Sequence, residues 1–497
     1  MQKQASFFFL LLALLPLSSF AQQIFAGLVK ESSFPVMNYT VFKEGYPLMV
    51  APGGGGQFVY IEYWRKTTTQ KDVQGRRETN YYLQRYGIPD YGEQWFRPLS
   101  YEGHDQIPLV LDLLKLEKHF VVFGKQYSEK DKRFNVVGRW FSFDGKSPEL
   151  DATLVSKYDK GNKKDYTDRF FTSNNEKFVM WIGSEGTRNF VSIFTEEGKE
   201  LYAKEMKTPY SDKYIIKDAA LDDKGNPAFL MATSRQTFSL KDTAMPPVIV
   251  RYNVTEDKFT SSKIKLDSTF FLNGHLRFRS NGEAVVAGVC SDNSPMGISN
   301  GLKLGKNATR WTHFFMKRYD LDSMKVIADS VSVIPYKLQE KYGSDGANFA
   351  TSEMVIDGES VILINEEHYK SGDTEVYGDI GCITFRMADG AAVWAQVIAK
   401  KQRDKPGTEY FSYTLGKYKG RLHFIFLTEM GAQGKLVCHS MDAGSGKITE
   451  RVLASNEEAL FYFFPKRSRM VSDRHIILIG TGDPTKNAYK LMTVAFQ

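Results

Sequence analysis

The chain has 497 residues, 25% of them charged, and a formal net charge of +7. Three cysteines, an odd number, exclude a framework in which every cysteine pairs within the chain. Beyond the N-terminus no segment approaches the ~20 apolar residues of a membrane-spanning helix, which excludes that class of membrane protein. Aromatic residues make up 14%, mainly 36 Phe and 26 Tyr, and favour strands over helices. Cys290, Cys382 and Cys438 each lie within a predicted strand, so we expect buried free thiols.

The first 21 residues have the pattern of a secretory signal peptide. Lys3 supplies a positive charge, the apolar run at 7–17 is too short to span a bilayer, and Ser19 and Ala21 are small residues before a cleavage site at Gln22. No cysteine stands directly after that site, so we expect no lipid anchor. The pattern predicts a signal peptide over 1–21 and a mature protein over 22–497, exported to the periplasm or the extracellular space and not a lipoprotein.

A short apolar tetrad recurs along the chain. Its members begin 50 to 77 residues apart and lie at 58–61, 120–123, 178–181, 228–231, 284–287, 361–364, 423–426 and 476–479. Strands that are apolar at consecutive positions must be covered on both faces. Strand-only repeats of this length are typical of propeller blades. We therefore predict an all-β protein that consists of one β-propeller domain.

Each repeat can be divided into four strands, a to d. In the fourth repeat these are predicted at 217–221, 227–233, 248–254 and 259–266. Asp-Gly, Asn-Gly and Glu-Gly pairs separate a from b or c from d, and they supply the positive φ that tight hairpins require. Strand c tends to end on an aromatic residue that would pack between neighbouring blades, at Tyr86, Phe141, Phe194, Tyr252 and Tyr319.

The last repeat, 467–496, has room for only three strands. A strand from residues 24–42 would complete it and remove the exposed edges of an open array, and 39–42 is the best candidate. This pattern predicts a ring of eight four-stranded blades closed by an N-terminal strand, with seven blades as the alternative.

The connections differ between the two faces of such a ring. The a–b and c–d turns are short, whereas several b–c and d–a loops are long, and long loops are where repeat proteins carry function. Four segments on the long-loop side, 65–78, 125–133, 157–165 and 400–408, each contain at least twice as many basic as acidic residues. We expect this face to attract a glycan or protein partner of acidic character. The candidate ligand-binding residues are Arg76, Arg77, Lys163, Lys164, Lys401 and Arg403.

Candidate catalytic residues are few. Glu366, Glu367 and His368 follow strand b of the sixth repeat, and His104 and Asp105 precede strand a of the second. Both groups would lie on the long-loop face near the channel mouth, where they could act as acids, bases or metal ligands. Solvated loop residues are the simpler interpretation. We expect neither a resident metal nor a cofactor, and no nucleic-acid partner.

Glycines 53–56 lack the Lys-Ser/Thr and the helix of a phosphate-binding loop, and they predict a flexible a–b turn.

The signal ending Ala21-Gln22, followed by repeats with turns such as Asp144-Gly145 and Glu197-Gly198, resembles exported propeller-like proteins of unknown function common in Bacteroidota. This resemblance implies export and a propeller, and it carries no catalytic residue over. The leading hypothesis is a non-enzymatic binding or scaffold propeller of the cell envelope, whose ligand meets the long-loop face. The alternative is a hydrolase or lyase acting on a glycan or peptide at the channel mouth, and a simple spacer stays open.

Overall fold

A computed structural model gives the architecture of the protein. It describes residues 24–31, 42–54, 57–66, 79–88, 93–99, 109–128, 133–145, 153–159, 166–185, 188–210, 214–233, 245–267, 269–292, 311–334, 349–404, 410–430, 433–455, 461–481 and 489–496. Within these residues the only helical element is a 3₁₀ turn, Pro465–Arg467. None of their helices is long and apolar enough to cross a membrane.

The described part of the chain forms 34 strands. The first half contains β1 (Ile24–Glu31), β2 (Phe42–Gly54), β3 (Gln57–Lys66), β4 (Thr79–Gly87), β5 (Glu93–Pro98), β6 (Leu109–Lys115), β7 (His119–Ser128), β8 (Arg133–Ser142), β9 (Thr153–Asp159), β10 (Tyr166–Thr172), β11 (Phe178–Glu185), β12 (Arg188–Thr195), β13 (Glu200–Glu205), β14 (Tyr214–Leu221), β15 (Pro227–Thr233), β16 (Val248–Asn253) and β17 (Lys258–Lys263).

The second half contains β18 (Phe270–Phe278), β19 (Ala284–Ser291), β20 (His313–Asp320), β21 (Lys325–Val333), β22 (Phe349–Asp357), β23 (Ser360–Ser371), β24 (Thr374–Arg386), β25 (Ala392–Ile398), β26 (Gln402–Asp404), β27 (Thr414–Tyr418), β28 (Arg421–Leu427), β29 (Lys435–Asp442), β30 (Ile448–Ser455), β31 (Tyr462–Phe463), β32 (Arg469–Ser472), β33 (His475–Thr481) and β34 (Tyr489–Phe496).

These strands form eight antiparallel sheets, which are the blades. Blades 1 to 5 are consecutive groups of four from β2 to β21. Blade 6 is β22–β25 with β26 added, blade 7 is β27–β30, and blade 8 is β31–β34 with β1. The inner strands of neighbouring blades contact one another, for example β14 with β18 and β2 with β6. The first strands of the blades together therefore line a central channel. The predicted eight-bladed propeller is confirmed, and the seven-bladed alternative is wrong.

Hydrophobic packing between blades holds the ring together. Eight clusters of buried side chains each join two adjacent blades, including blade 8 with blade 1. The predicted strand-c aromatics belong to these clusters, and Phe141, Phe194, Tyr252 and Tyr319 are at most 1% exposed. Complete burial of one such side chain stabilises the fold by roughly 1.5–3 kcal/mol. The three cysteines are buried and free, as predicted.

The ring is closed by the N-terminal strand. β1 pairs with β34 and supplies the outermost strand of blade 8, as Ile24 opposite Phe496 shows. The prediction of closure from within 24–42 is confirmed, but the preferred segment 39–42 is wrong. Phe42 instead begins β2, the innermost strand of blade 1. Both segments are rich in strand-forming residues, and propensity alone does not specify which partner a strand takes.

Tight turns within the blades contain glycines of positive φ. The predicted turn residues Gly145, Gly198, Gly282 and Gly390 all have positive φ. Several also lie against an aromatic ring of the preceding blade. At Gly446 (φ +71°), an added Cβ would stand 2.7 Å from Cδ2 of Trp394, whose indole N–H donates to the Gly444 carbonyl at 3.1 Å.

Replacing Gly446 by alanine should therefore cost more than replacing Gly282. Gly282 has a φ of +84° but open space around it, so Gly282→Ala is expected to lower the free energy of unfolding by about 1 kcal/mol, the cost of positive φ alone. Gly446→Ala should cost roughly 1–3 kcal/mol more, because the new methyl group overpacks against Trp394. Urea denaturation of both variants measures the difference. Equal losses would show that the indole moves aside without cost.

Candidate functional site

Blade 6 carries a projection on the long-loop face. Its b and c strands have 12 and 13 residues, and their hairpin extends to a turn at Gly372, where φ is +63°. The short strand β26 adds to the same hairpin, with Val376 opposite Arg403. We call residues 366–379 together with Lys401 and β26 the loop-face arm. It contains five of the predicted site residues, namely Glu366, Glu367, His368, Lys401 and Arg403.

A buried polar network fixes the base of the arm. Lys400 Nζ donates to Glu366 Oε1 at 2.7 Å and to Gln402 Oε1 at 2.9 Å. The Ser412 hydroxyl donates to Glu366 Oε2 at 2.7 Å. The Lys400 and Glu366 side chains are only 0% and 10% exposed. Burial lowers the pKa of Lys400, and the charge of Glu366 opposes that effect. Both carboxylate oxygens of Glu366 are thus occupied by groups of the protein itself.

Backbone strain accompanies this network. Ser412 has a φ of +93°, a conformation that a non-glycine residue adopts only when its surroundings enforce it. Its backbone N–H donates to Gln402 Oε1 at 3.0 Å, and the Gln402 side-chain amide donates to the Leu427 carbonyl at 2.5 Å. The network therefore joins blade 6 to the start of the inner strand of blade 7.

The other two acid–base candidates on the arm lie further out. His368 stacks on Tyr377 with a centroid distance of 4.2 Å, and its Nε2 is 3.9 Å from Oε2 of Glu375. Burial raises the pKa of Tyr377, and the neighbouring charges of Glu375 and Glu366 act in the same direction. Glu367 packs beside Gly378, where an added Cβ would overlap its carboxylate. Glu366 and His368 therefore have different surroundings although they are two residues apart.

Among the predicted ligand-binding residues, Lys401 and Arg403 are exposed on the arm. The remaining predicted residues, His104, Asp105, Arg76, Arg77, Lys163 and Lys164, lie outside the described residues. The meeting of His104 and Asp105 with residues 366–368 at the channel mouth stays a prediction. Lys400 was counted with the basic segment 400–408, yet it is buried. Its burial is tolerated because its charge is neutralised by Glu366.

Charged groups also line the channel. Arg469 of blade 8 reaches past blade 1 to Asp112 of blade 2, at 3.3 Å. Asp218 of blade 4 accepts hydrogen bonds from Arg277 and from the Leu276 N–H of blade 5, at 2.8 and 3.0 Å, and lies 3.1 Å from His275 Nδ1. Burial favours a raised pKa of Asp218, but the His275 and Arg277 contacts outweigh it and lower the pKa. These pairs connect blades through the channel.

Sequence reasoning missed Lys400 and Ser412 as partners of Glu366, and Gln402 as the residue that joins those two. A lysine in a basic loop segment is expected to be solvated, and the residues next to Lys400 have no pattern that predicts a buried ion pair. Within the described residues, no group of three or more His, Cys, Asp or Glu side chains is placed to hold a metal ion.

The architecture defines the chain as a β-propeller. No protein-family model and no curated protein matches it. Among solved structures it is similar to the Dos1 propeller, with 8% identity over 95% of both chains and a TM-score of 0.45. It is also similar to the polysaccharide lyase Uly1, with 10% identity over 92% of this chain and 99% of that chain and a TM-score of 0.42.

A third similar structure is the β-propeller domain of the Trilobed protease from Pyrococcus furiosus, with 10% identity over 83% of this chain and 99% of that chain and a TM-score of 0.37. At these identities, none of the three similarities indicates what the chain binds or does.

Proposed function

We propose that the protein is an exported, non-enzymatic binding or scaffold propeller of the cell envelope, whose partner meets the face that carries the b–c and d–a loops. The observation that carries this proposal is the state of Glu366. Lys400 and Ser412 occupy both of its oxygens, and such a carboxylate holds structure together more readily than it exchanges protons with a substrate. The resemblance to exported propeller-like proteins of Bacteroidota supports the envelope assignment.

The partner is a glycan or protein of acidic character. Lys401 and Arg403 are exposed on the loop-face arm, and the sequence predicts the basic segments 65–78, 125–133 and 157–165 on the same face. Clustered positive charge on one face accelerates the association of an anionic partner and makes it dependent on salt.

Reversing the charge of the arm tests the proposal. The double variant Lys401→Glu/Arg403→Glu should associate with polygalacturonate, or with poly-L-glutamate as the protein probe, at least about tenfold more slowly at low ionic strength. The difference should vanish near 1 M salt, where the Debye length is about 3 Å. Biolayer interferometry on immobilised polymer measures both rates.

A matched control carries the same change of net charge on the opposite face. Lys224→Glu/Lys258→Glu alters two exposed lysines of blade 4 at its a–b and c–d turns, and it should retain most of the wild-type rate. If both double variants slowed association equally, the net charge of the protein would explain the attraction of the polymer. The assignment of the binding surface to the loop face would then be overturned. Shortening of the polymer during the measurement would favour the alternative function, a hydrolase or lyase.

A further inference from the structure

A cavity of about 360 Å³ lies inside the channel, against blades 6, 7 and 8. The walls include Glu353 and Glu366 of blade 6, residues 412–415 of blade 7, and Pro465, Ser468, Arg469 and Met470 of blade 8. The cavity lies where the inner strands of the ring are short or interrupted. β27 has only five residues, and the inner strand of blade 8 is divided into β31 and β32 by the 3₁₀ turn.

One carboxyl group in this cavity differs from its counterparts in other blades. The inner strands of blades 2, 4, 5 and 6 each contain a β-bulge, directly followed by Asp112, Asp218, Asn273 and Glu353, respectively. Asp112 and Asp218 form ion pairs, and Asn273 accepts the Gly274 N–H at 2.9 Å. The backbone of Glu353 pairs with Ile364, but no hydrogen bond or ion pair joins its carboxylate to any residue that the structure describes.

Several other oxygen atoms that line the cavity are already engaged. The Thr414 hydroxyl donates to the Pro465 carbonyl at 2.8 Å. The Ser468 hydroxyl donates to the Phe464 carbonyl at 2.8 Å and accepts the Ile479 N–H at 2.9 Å. Glu366 is occupied by Lys400 and Ser412. Of the two carboxylates that line this cavity, Glu353 is therefore the one that remains available to a ligand, and the side chains of Leu415, Pro465 and Met470 provide apolar contact beside it.

We propose that this cavity binds a small organic cation, a primary ammonium or guanidinium group that pairs with the carboxylate of Glu353. A half-buried carboxylate without a hydrogen-bond or ion-pair partner is costly, and an N⁺–H donor is the group that compensates it best. The proposal goes beyond the proposed function, because it concerns the channel and a small ligand, whereas the partner meets the loop face.

The test is isothermal titration calorimetry of the mature protein, with n-butylammonium as the probe and n-butanol as the neutral molecule of similar size. We expect saturable heat with the cation and none with the alcohol. Glu353→Gln should weaken binding of the cation at least about tenfold, since it removes a charge-assisted hydrogen bond. The control Glu256→Gln, at an exposed turn of blade 4, should bind like the wild type.

The pH dependence gives a second measurement on the unaltered protein. Burial raises the pKa of Glu353, opposed by the charges of Arg277 and His275; Glu366 and Arg469 also face the cavity, each held in an ion pair. Because the cation binds the ionised carboxylate, its affinity should rise with pH and binding should release protons, which titrations in two buffers of different ionisation enthalpy detect. Equal affinity in Glu353→Gln, equal heats with n-butanol, or no saturable heat would each overturn the proposal.

Discussion

Replacing Lys400 by methionine is expected to lower the free energy of unfolding by about 3–5 kcal/mol, because it leaves the buried carboxylate of Glu366 without its counter-charge. The two side chains are 0% and 10% exposed, and their ion pair measures 2.7 Å. Water therefore cannot replace the lost partner without opening the junction between blades 6 and 7. Urea denaturation followed by tryptophan fluorescence measures the loss.

Two further variants make this result interpretable. Lys401→Met changes the neighbouring, exposed lysine and should alter stability by no more than about 0.5 kcal/mol. Glu366→Gln/Lys400→Met removes both charges and should recover much of the loss, because no unpaired ion is then buried. If Lys400→Met were as mild as Lys401→Met, the ion pair would not hold the arm, and Glu366 would again be a candidate for proton transfer.

Acid is expected to destabilise the protein partly through His423, which is 0% exposed. Its Nδ1 lies 2.8 Å from the Ser440 hydroxyl, and the ring stacks on Phe496 at a centroid distance of 4.2 Å. Burial, with a smaller contribution from the charge of Arg421, lowers the pKa of His423 from 6.5 to about 4. Protonation would place a charge in the junction between blades 7 and 8.

The lowered pKa of His423 determines how the free energy of unfolding depends on pH. Between pH 6.5 and about 4 the unfolded chain binds a proton at His423 that the folded chain does not, so stability falls as pH falls. The full effect below this range is about 3 kcal/mol. His423→Phe should unfold with a shallower pH dependence over the same interval. Part of the dependence should persist, because burial also lowers the pKa of His439 and His475. An unchanged slope would contradict the account.

Patterns that repeat with the blades could be predicted from the sequence. The apolar tetrads fall in the second strand of all eight blades, because that strand is covered on both faces. The predicted strand at 227–233 coincides with β15. The glycines of the tight turns could also be predicted, because positive φ is a local requirement that few other residues meet.

Features that depend on which segments meet could not be predicted. The closing strand is Ile24–Glu31 and not 39–42, because the choice depends on pairing with β34 at the far end of the chain. The bulge before Glu353 has no sequence signature, and whether the carboxylate finds a partner depends on two other blades. The burial of Lys400 likewise follows from its contact with Glu366, which lies 34 residues earlier.

The central claim, that the loop face binds an acidic partner, is tested most directly by thermal unfolding of residues 22–497 with polygalacturonate, poly-L-glutamate and a neutral glycan, at low salt and near 1 M salt. A ligand at a hundred times its dissociation constant should stabilise the folded state by about 2.7 kcal/mol. The account predicts a higher melting temperature with at least one acidic polymer at low salt, which disappears at high salt. An equal rise with the neutral glycan, or no rise with either acidic polymer, would contradict it.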